Sequence, residues 1–384
     1  MNAYLFYPGC SMEGSARAYA DSLKAISEPL GLRLDEINDW NCCGATEYLG
    51  INLIPAYALI SRNLALAARQ AGSQNGAPGK GTVVAPCSAC YLNLAKAAHF
   101  MRERPVLGER VNQALAAGGL QYTPGSLQIR HLLDVIINDI GLDAVRAKVV
   151  RPLKGLRVAP YLGCMVPRPD YKKRWSDHEY PNELDRLLKA LGADVIDFPL
   201  KTHCCGGHMT QISPDTAFEL IRRLVHAADQ YRADLIVTVC PMCQMNLDAY
   251  LGETNQHFHT HYHMPTVFFT QVMGLAFGLD PRQLGFGLEL TDARPALARI
   301  GLEAPPAEAA GPAGADLPAA EPTPATPDES AVEEVQPAEQ EMTDDDVGQT
   351  SPAGLGPRPT TIEPAPSGFA DEAPIDAPPT DEAP

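Results

Sequence analysis

Ten cysteines recur in a fixed order. Cys10, the adjacent pair Cys42-Cys43, and Cys87 and Cys90 of "CSAC" make one set. Cys164, the pair Cys204-Cys205, and Cys240 and Cys243 of "CPMC" make a second. Each set reads C…CCG…CxxC, and no cysteine is left over. Adjacent cysteines make a strained disulfide, so the doubled residues need another partner. Thiolates are soft ligands, and four or more in a reducing compartment point to zinc or an iron–sulfur centre. A tetrahedral zinc has no place for a fifth sulfur. A polynuclear iron–sulfur centre does, because one thiolate can bridge two irons, and the adjacent pair can serve different metal atoms. Gly44 and Gly206 are expected to let the backbone pass close to such a cluster. Two readings compete: structural zinc in one or both sets, and a metal-free dithiol/disulfide relay through the two CxxC pairs.

The elements that must gather these sulfurs repeat as well. "LFYPGC" matches "APYLGC", and "EPLGLRLDEINDWNCCGA" matches "KALGADVIDFPLKTHCCGG", an internal duplication. The gaps between cysteine groups are 31 and 43 residues in the first copy and 39 and 34 in the second. "AYLFY", "LRLDEI" and "TVVA" read as strands, with helices through "SARAYADSLKAISEPLG", "PAYALISRNLALAARQAG" and from "YLNLAKAAHF". "LRVAPYL", "DVIDF" and "DLIVTV" repeat the strands, with helices in "PNELDRLLKALG", "DTAFELIRRLVHAADQY" and "QMNLDAYL". "RHLLDVIINDIGLDAVRAKV" reads as an amphipathic helix pair, and "PTVFFTQVMGLAFGL" as a closing strand and helix. Strand–helix alternation predicts an α/β protein of two duplicated Rossmann-like domains with parallel sheets. The loops after such strands share one edge, so all five cysteines of a copy come to one place. The expected domains are residues 1–152, 153–290 and a tail, 291–384.

Composition limits the function classes. The formal net charge is −17, but residues 301–384 hold 19 acidic residues against one basic residue, Arg358, and 17 of the 35 prolines. The folded part is therefore near neutral, with no basic stripe of the density that nucleic acid requires. The tail is expected to be disordered, with too little apolar surface to offset its ordering entropy. The N-terminus lacks the charged and apolar regions of a signal peptide, and no apolar run is long enough to span a bilayer. These features predict a cytoplasmic protein with reduced thiols.

The duplicated motif resembles the CCG-domain family, and within it the B-subunit of heterodisulfide reductases. The resemblance covers about residues 1–290 and includes "YPGC", "WNCCGA", "RHLLDVIINDIG", "RPLKG", "HCCGG", "CPMCQMNLD" and "FFTQVMGLAFGL". It implies two [4Fe–4S] clusters of noncubane type, with zinc as the alternative in one site. Cys10, Cys42, Cys43, Cys87 and Cys90 would hold one; Cys164, Cys204, Cys205, Cys240 and Cys243 would hold the other. The implied reaction splits a small-molecule disulfide into two thiols, or the reverse, at a cavity between the domains. The chain has no C-x2-C-x2-C-x3-C run, so electrons must come from other proteins of a complex. By resemblance these are a ferredoxin-like C-subunit together with a flavin-containing A-subunit. Two alternatives stand beside it: an electron-transfer subunit of a quinone-linked dehydrogenase of succinate or hydroxy-acid type, and a zinc-stabilised scaffold without turnover. The Gly-rich "GSQNGAPGKG" and the acidic tail depart from the family core; the former reads as a surface loop.

Other residues have weaker claims. His203 and His208 flank the second Cys-Cys-Gly and are candidate proton donors, or else fix the loop backbone. His257, His259, His261 and His263 alternate in "HFHTHYH" and would share a face if extended. Arg168, Lys172, Lys173 and Arg174 follow Cys164 and could attract an anionic disulfide; a plain surface loop is the competing reading.

Overall fold

The computed structural model describes residues 2–45, 50, 52–75, 81–168, 171 and 174–302. The tail from residue 303, and with it the expected disorder, lies outside the described residues.

Two four-stranded parallel sheets carry the two copies. The first pairs β2 (Leu32–Glu36), β1 (Asn2–Phe6), β3 (Gly81–Ala85) and β4 (Leu127–His131) in that order. The second repeats the order with β6 (Asp194–Val195), β5 (Arg157–Tyr161), β7 (Leu235–Thr238) and β8 (Thr266–Phe268). The first strand of each copy runs up the middle, and the chain order reverses there. That is the point where an open α/β sheet leaves a crevice at its strand ends. β1 and β3 end at Phe6 and Ala85, just ahead of Cys10 and Cys87; β5 and β7 end at Tyr161 and Thr238, just ahead of Cys164 and Cys240.

The helix Arg17–Leu30 ends where Gly31 adopts φ +62°, as its glycine predicts. It packs against Phe269–Ala276 of the second copy, with Ser22 Oγ 2.6 Å from Thr270 Oγ1. The corresponding helix of the second copy, Glu183–Ala190, packs against the 132–146 segment of the first. Each copy thus lays its first helix on the other's last, and one apolar core runs through both. An ion pair crosses the same boundary: Arg130 bonds Asp134 and Asp139 within the first copy, and Arg174 from the second stands 3.3 Å from Asp134.

Several expectations need correction. "RHLLDVIINDIG" is not a helix pair from its start. Arg130 and His131 complete β4, then Leu132–Val135, a π-helical turn Ile136–Gly141 and Leu142–Arg146 form one interrupted run. Of the Gly-rich segment, residues up to Asn75 continue the helix Leu53–Asn75, Gly81 begins β3, and 76–80 lie outside the described residues. The histidine run is not extended: His257 belongs to the helix Leu251–Phe258, and His259 caps it at φ +55°, so the four rings share no strand face. Residues 291–302 pack on the second copy, with Ala293 and Ala296 buried and the Leu290 and Thr291 amides on Asp248.

Candidate metal centre

The cysteines do not all sit in loops. Cys10 opens the short helix Cys10–Glu13, Cys87 caps the helix Ser88–Glu103, and Cys240 caps Pro241–Ala249. Cys90 and Cys243 therefore lie in first helical turns, but their hydrogen bonds with Cys43 and Cys205, and then burial, push both thiols up. Pro241 suits the first helical position, which has no use for an N–H.

Each copy has an outer pair and a buried inner trio. Cys10 and Cys42 are exposed, with their sulfurs 3.7 Å apart. Cys43, Cys87 and Cys90 are buried, and Cys43 Sγ lies 3.5 Å from Cys90 Sγ. In the second copy Cys204 is exposed, Cys164 is half-buried and hydrogen-bonds to it, and Cys205 Sγ lies 3.4 Å from the buried Cys243 Sγ. The two trios meet: the buried Cys87 and Cys240 lie beside each other across the boundary, each also next to the second cysteine of its own CxxC, close enough for each thiol to shift its neighbours' ionisation. Sulfur contacts thus pass from one copy to the other without a break at the boundary.

Metal–sulfur bonds of about 2.3 Å in a tetrahedron put two ligand sulfurs about 3.8 Å apart. The pairs at 3.4–3.7 Å are close to that spacing. Among the described residues no three His, Cys, Asp or Glu side chains form the cage of a single ion. The donors come as ligand-spaced pairs within sets of five, which fits a centre of several metal atoms. Within the contacts one thiol is lowered and its neighbour raised: Cys42, Cys87, Cys90, Cys164 and Cys243 are pushed up. Hydrogen bonds with Cys42 and then Cys90 bring the Cys43 thiol down to about 3. Cys164 brings Cys204 down to about 6. Cys243 and Cys87 lower Cys240.

Residues outside the cysteine pattern hold the sulfurs in place, and they too occur in pairs. Tyr7 donates to the Asn41 carbonyl at 2.7 Å and Tyr161 to the His203 carbonyl at 2.7 Å, each on the residue before a Cys-Cys pair. Burial pushes both phenols well above their usual range, so they remain donors. Asn93 donates to the Cys43 carbonyl at 3.2 Å and to that of Ala45; Asn246 donates to Cys205 and Gly207 at 2.9 and 2.8 Å. Sequence reasoning missed all four. The signals were C-x2-C-x2-N in "CSACYLN" and "CPMCQMN" for the asparagines, and Y-x2-C in "YPGC" and "YLGC" for the tyrosines. Two glycines beyond the expected pair also approach sulfur. A methyl on Gly9 (φ +76°) would stand 2.8 Å from Cys90 Sγ, and one on Gly163 (φ +70°) 3.0 Å from Cys243 Sγ. Of the expected pair, Gly206 (φ +94°) donates its amide to Cys204 Sγ at 3.3 Å, and the Gly44 backbone (φ +79°) bonds Cys42.

His203 is exposed and uses its carbonyl on Tyr161; burial, then Arg168 and Arg223, lower its imidazole pKa. His208 precedes the short helix Met209–Ile212. The basic run is largely committed: Arg168 donates to the His178 carbonyl, Glu179 and Thr202, and Arg174 pairs with Asp134. Lys172 and Lys173 lie outside the described residues. A cavity of about 260 Å³ opens between the copies, lined by Ser15, Arg17, Gln244, Phe268, Gln271 and Glu289 among others, with no cysteine in its wall.

The cysteine-rich domain family CCG matches residues 4–95 and again 158–248, the two sets just described. The 8-methylmenaquinol:fumarate reductase membrane anchor subunit of Wolinella succinogenes is 30% identical over 290 residues, covering 76% of this chain and 97% of that protein. The chain belongs to the CCG family, close to the B-subunit of heterodisulfide reductase. Relatives in the CCG family include a heterodisulfide reductase B-subunit-like protein of Archaeoglobus profundus, 28% identical over 74% of this chain and 93% of that one. Another is the B-subunit of the ferredoxin:CoB-CoM heterodisulfide reductase of Methanosarcina mazei, 27% identical over 74% and 92%. A solved structure of a hypothetical protein from Helicobacter pylori shares the fold, with a TM-score of 0.58 at 14% identity. The match covers 76% of this CCG chain but only about half, 52%, of that structure. Although the Wolinella relative is named a membrane anchor, no described helix here is long and apolar enough to cross a membrane.

Proposed function

We propose that this CCG protein is the iron–sulfur subunit of a heterodisulfide-reductase-like complex. One quintet (Cys10, Cys42, Cys43, Cys87, Cys90) holds one [4Fe–4S] cluster of noncubane type, and the other (Cys164, Cys204, Cys205, Cys240, Cys243) holds a second. The observation that carries this reading is the contact of Cys87 with Cys240, which joins two five-sulfur sets into one site. When bound, such clusters supply single electrons at tunable potential. Splitting a disulfide takes two electrons and two protons and yields two thiols, so two adjoining one-electron centres match the stoichiometry. The exposed Cys10, Cys42 and Cys204 mark the side from which a small disulfide or thiol approaches. His203 and His208, flanking Cys204-Cys205, are the candidate proton donors to the departing sulfur. A ferredoxin-like partner and a flavin-containing partner deliver the electrons, in the cytoplasm.

Anaerobic purification followed by iron, sulfide and EPR analysis tests this directly. About eight irons per chain, four for each quintet, are expected. Colourless protein, or protein holding only zinc, ends the reading.

A second reading has its own support. The likeness to the Wolinella protein spans 97% of that relative, whose name ties it to menaquinol and fumarate. On that reading the joined sites pass electrons within a quinone-linked dehydrogenase and touch no disulfide. Copurifying proteins separate the two: a flavin-containing partner together with a ferredoxin-like one favours disulfide chemistry, and a succinate-dehydrogenase-like flavoprotein favours the quinone.

A further inference from the structure

Two residues that ligate nothing converge on the place where the quintets meet. Tyr19, fully buried in the helix Arg17–Leu30, sets its hydroxyl 3.2 Å from the Pro86 carbonyl and 3.4 Å from the Val239 carbonyl. Pro86 and Val239 are equivalent positions, each preceding the first cysteine of its CxxC. One hydroxyl therefore ties together the two backbones that lead into Cys87 and Cys240.

His131 reaches the same carbonyls from β4. Its Nδ1 accepts the Leu133 N–H at 3.1 Å, which puts the ring proton on Nε2. That Nε2 is buried and faces Pro86 and Val239, with no well-formed hydrogen bond to any described residue. The second copy does not repeat the arrangement. His131 lies opposite Ala85 in the register, and the matching position opposite Thr238 is Phe268. Phe268 offers only a ring face, on which Tyr19 stacks at a centroid distance of 4.4 Å and 15°.

We propose that Tyr19 and His131 are positioning residues that hold Cys87 beside Cys240, and so fix the spacing of the two cluster sites, Tyr19 through its hydroxyl on the Pro86 and Val239 carbonyls and His131 through a buried Nε2–H turned toward the same pair. The inference rests on the two-cluster reading above. Apolar packing between the copies is non-directional and permits sliding at small cost. A hydroxyl shared by two carbonyls is directional and does not.

The test uses full-length, anaerobically purified protein carrying its clusters, as wild type, Tyr19→Phe and His131→Phe. Iron is counted, and EPR line shape and spin relaxation of the partly and fully reduced forms report the magnetic interaction between the clusters. The expected result is unchanged iron with the interaction altered by about twofold or more in Tyr19→Phe, since one directional bond is lost while the ring stack stays. The same interaction in both variants as in wild type, at full iron, overturns the proposal. Should Tyr19→Phe fail to fold, His131→Phe decides alone, because it leaves the tyrosine and its stack intact. Wild type without iron would defeat the two-cluster reading and leave the clamp testable. Crystal structures of iron-free wild type and Tyr19→Phe then measure the Cys87–Cys240 separation directly, and a wider or more variable separation is expected in the variant; the same separation in both overturns the proposal.

Discussion

Gly9 lies so close to Cys90 that a methyl group in place of its hydrogen would stand 2.8 Å from Sγ, closer than carbon and sulfur can pack. Gly163 bears the same relation to Cys243 at 3.0 Å. Both also hold a positive φ, which costs a residue with a side chain about 1–2 kcal/mol. Gly9→Ala and Gly163→Ala should each spoil one quintet and spare the other. Iron per chain is expected to fall from about eight to about four in either variant. Metal analysis checks this, and loss of all iron from a single substitution would show that the quintets fill only together.

Asn93 and Asn246 each satisfy two backbone carbonyls around a Cys-Cys pair. Replacing either by Ala leaves those buried acceptors without a donor, at a cost of about 1–3 kcal/mol. Asp keeps the size but presents acceptors to acceptors, and should be no better than Ala. Denaturant midpoints of the anaerobic protein measure both.

The charged group at the boundary is buried on one side. Arg130 and Asp134 are both nearly inaccessible, and Arg174 of the other copy leans on the same carboxylate. Arg130→Ala leaves that carboxylate to Arg174 and Asn138 and should destabilise by about 3 kcal/mol, the low end for breaking a buried pair. Adding Asp134→Leu should recover much of the loss, which a double-mutant cycle reads directly.

Acid should weaken the same boundary. Burial works to raise the Asp139 carboxyl, but hydrogen bonds from Arg130 and Tyr4 outweigh it and hold it below its ordinary value. A folded pKa below the unfolded value of about 3.9 means that the contribution is complete above that pH and disappears as pH falls through the folded value. Stability measured from pH 5 down to pH 2.5 should therefore drop more steeply in wild type than in Tyr4→Phe.

Duplication made the cysteine sets legible in the sequence, because two copies of C…CCG…CxxC specify what to look for twice. Apolar runs bounded by turn residues marked most strands. β4 escaped because "LQIRH" runs straight into Leu132 with no turn residue between, so its end reads as helix. The histidine run misled because alternation predicts a shared face only in an extended chain, and the helix Leu251–Phe258 takes His257 out of it. Tyr7 and Tyr161 act through one hydrogen bond to backbone each, Asn93 and Asn246 through two. Such contacts leave no periodic trace, and only residue-by-residue comparison of the copies would have exposed them. Tyr19 and His131 had no such trace at all, since their role depends on which helix and strand face the other copy.

The depth gradient across each quintet bears on how the protein matures. Cys10 and Cys42 in one copy, and Cys204 in the other, are open to a donor approaching from outside, whereas Cys87 and Cys240 are enclosed against each other. A carrier handing over iron and sulfide meets the outer thiols first and cannot touch the central ones in the closed fold. On the proposed two-cluster reading, loading precedes final closure of the boundary or proceeds inward from the rim, and a chain that closes too early is trapped empty.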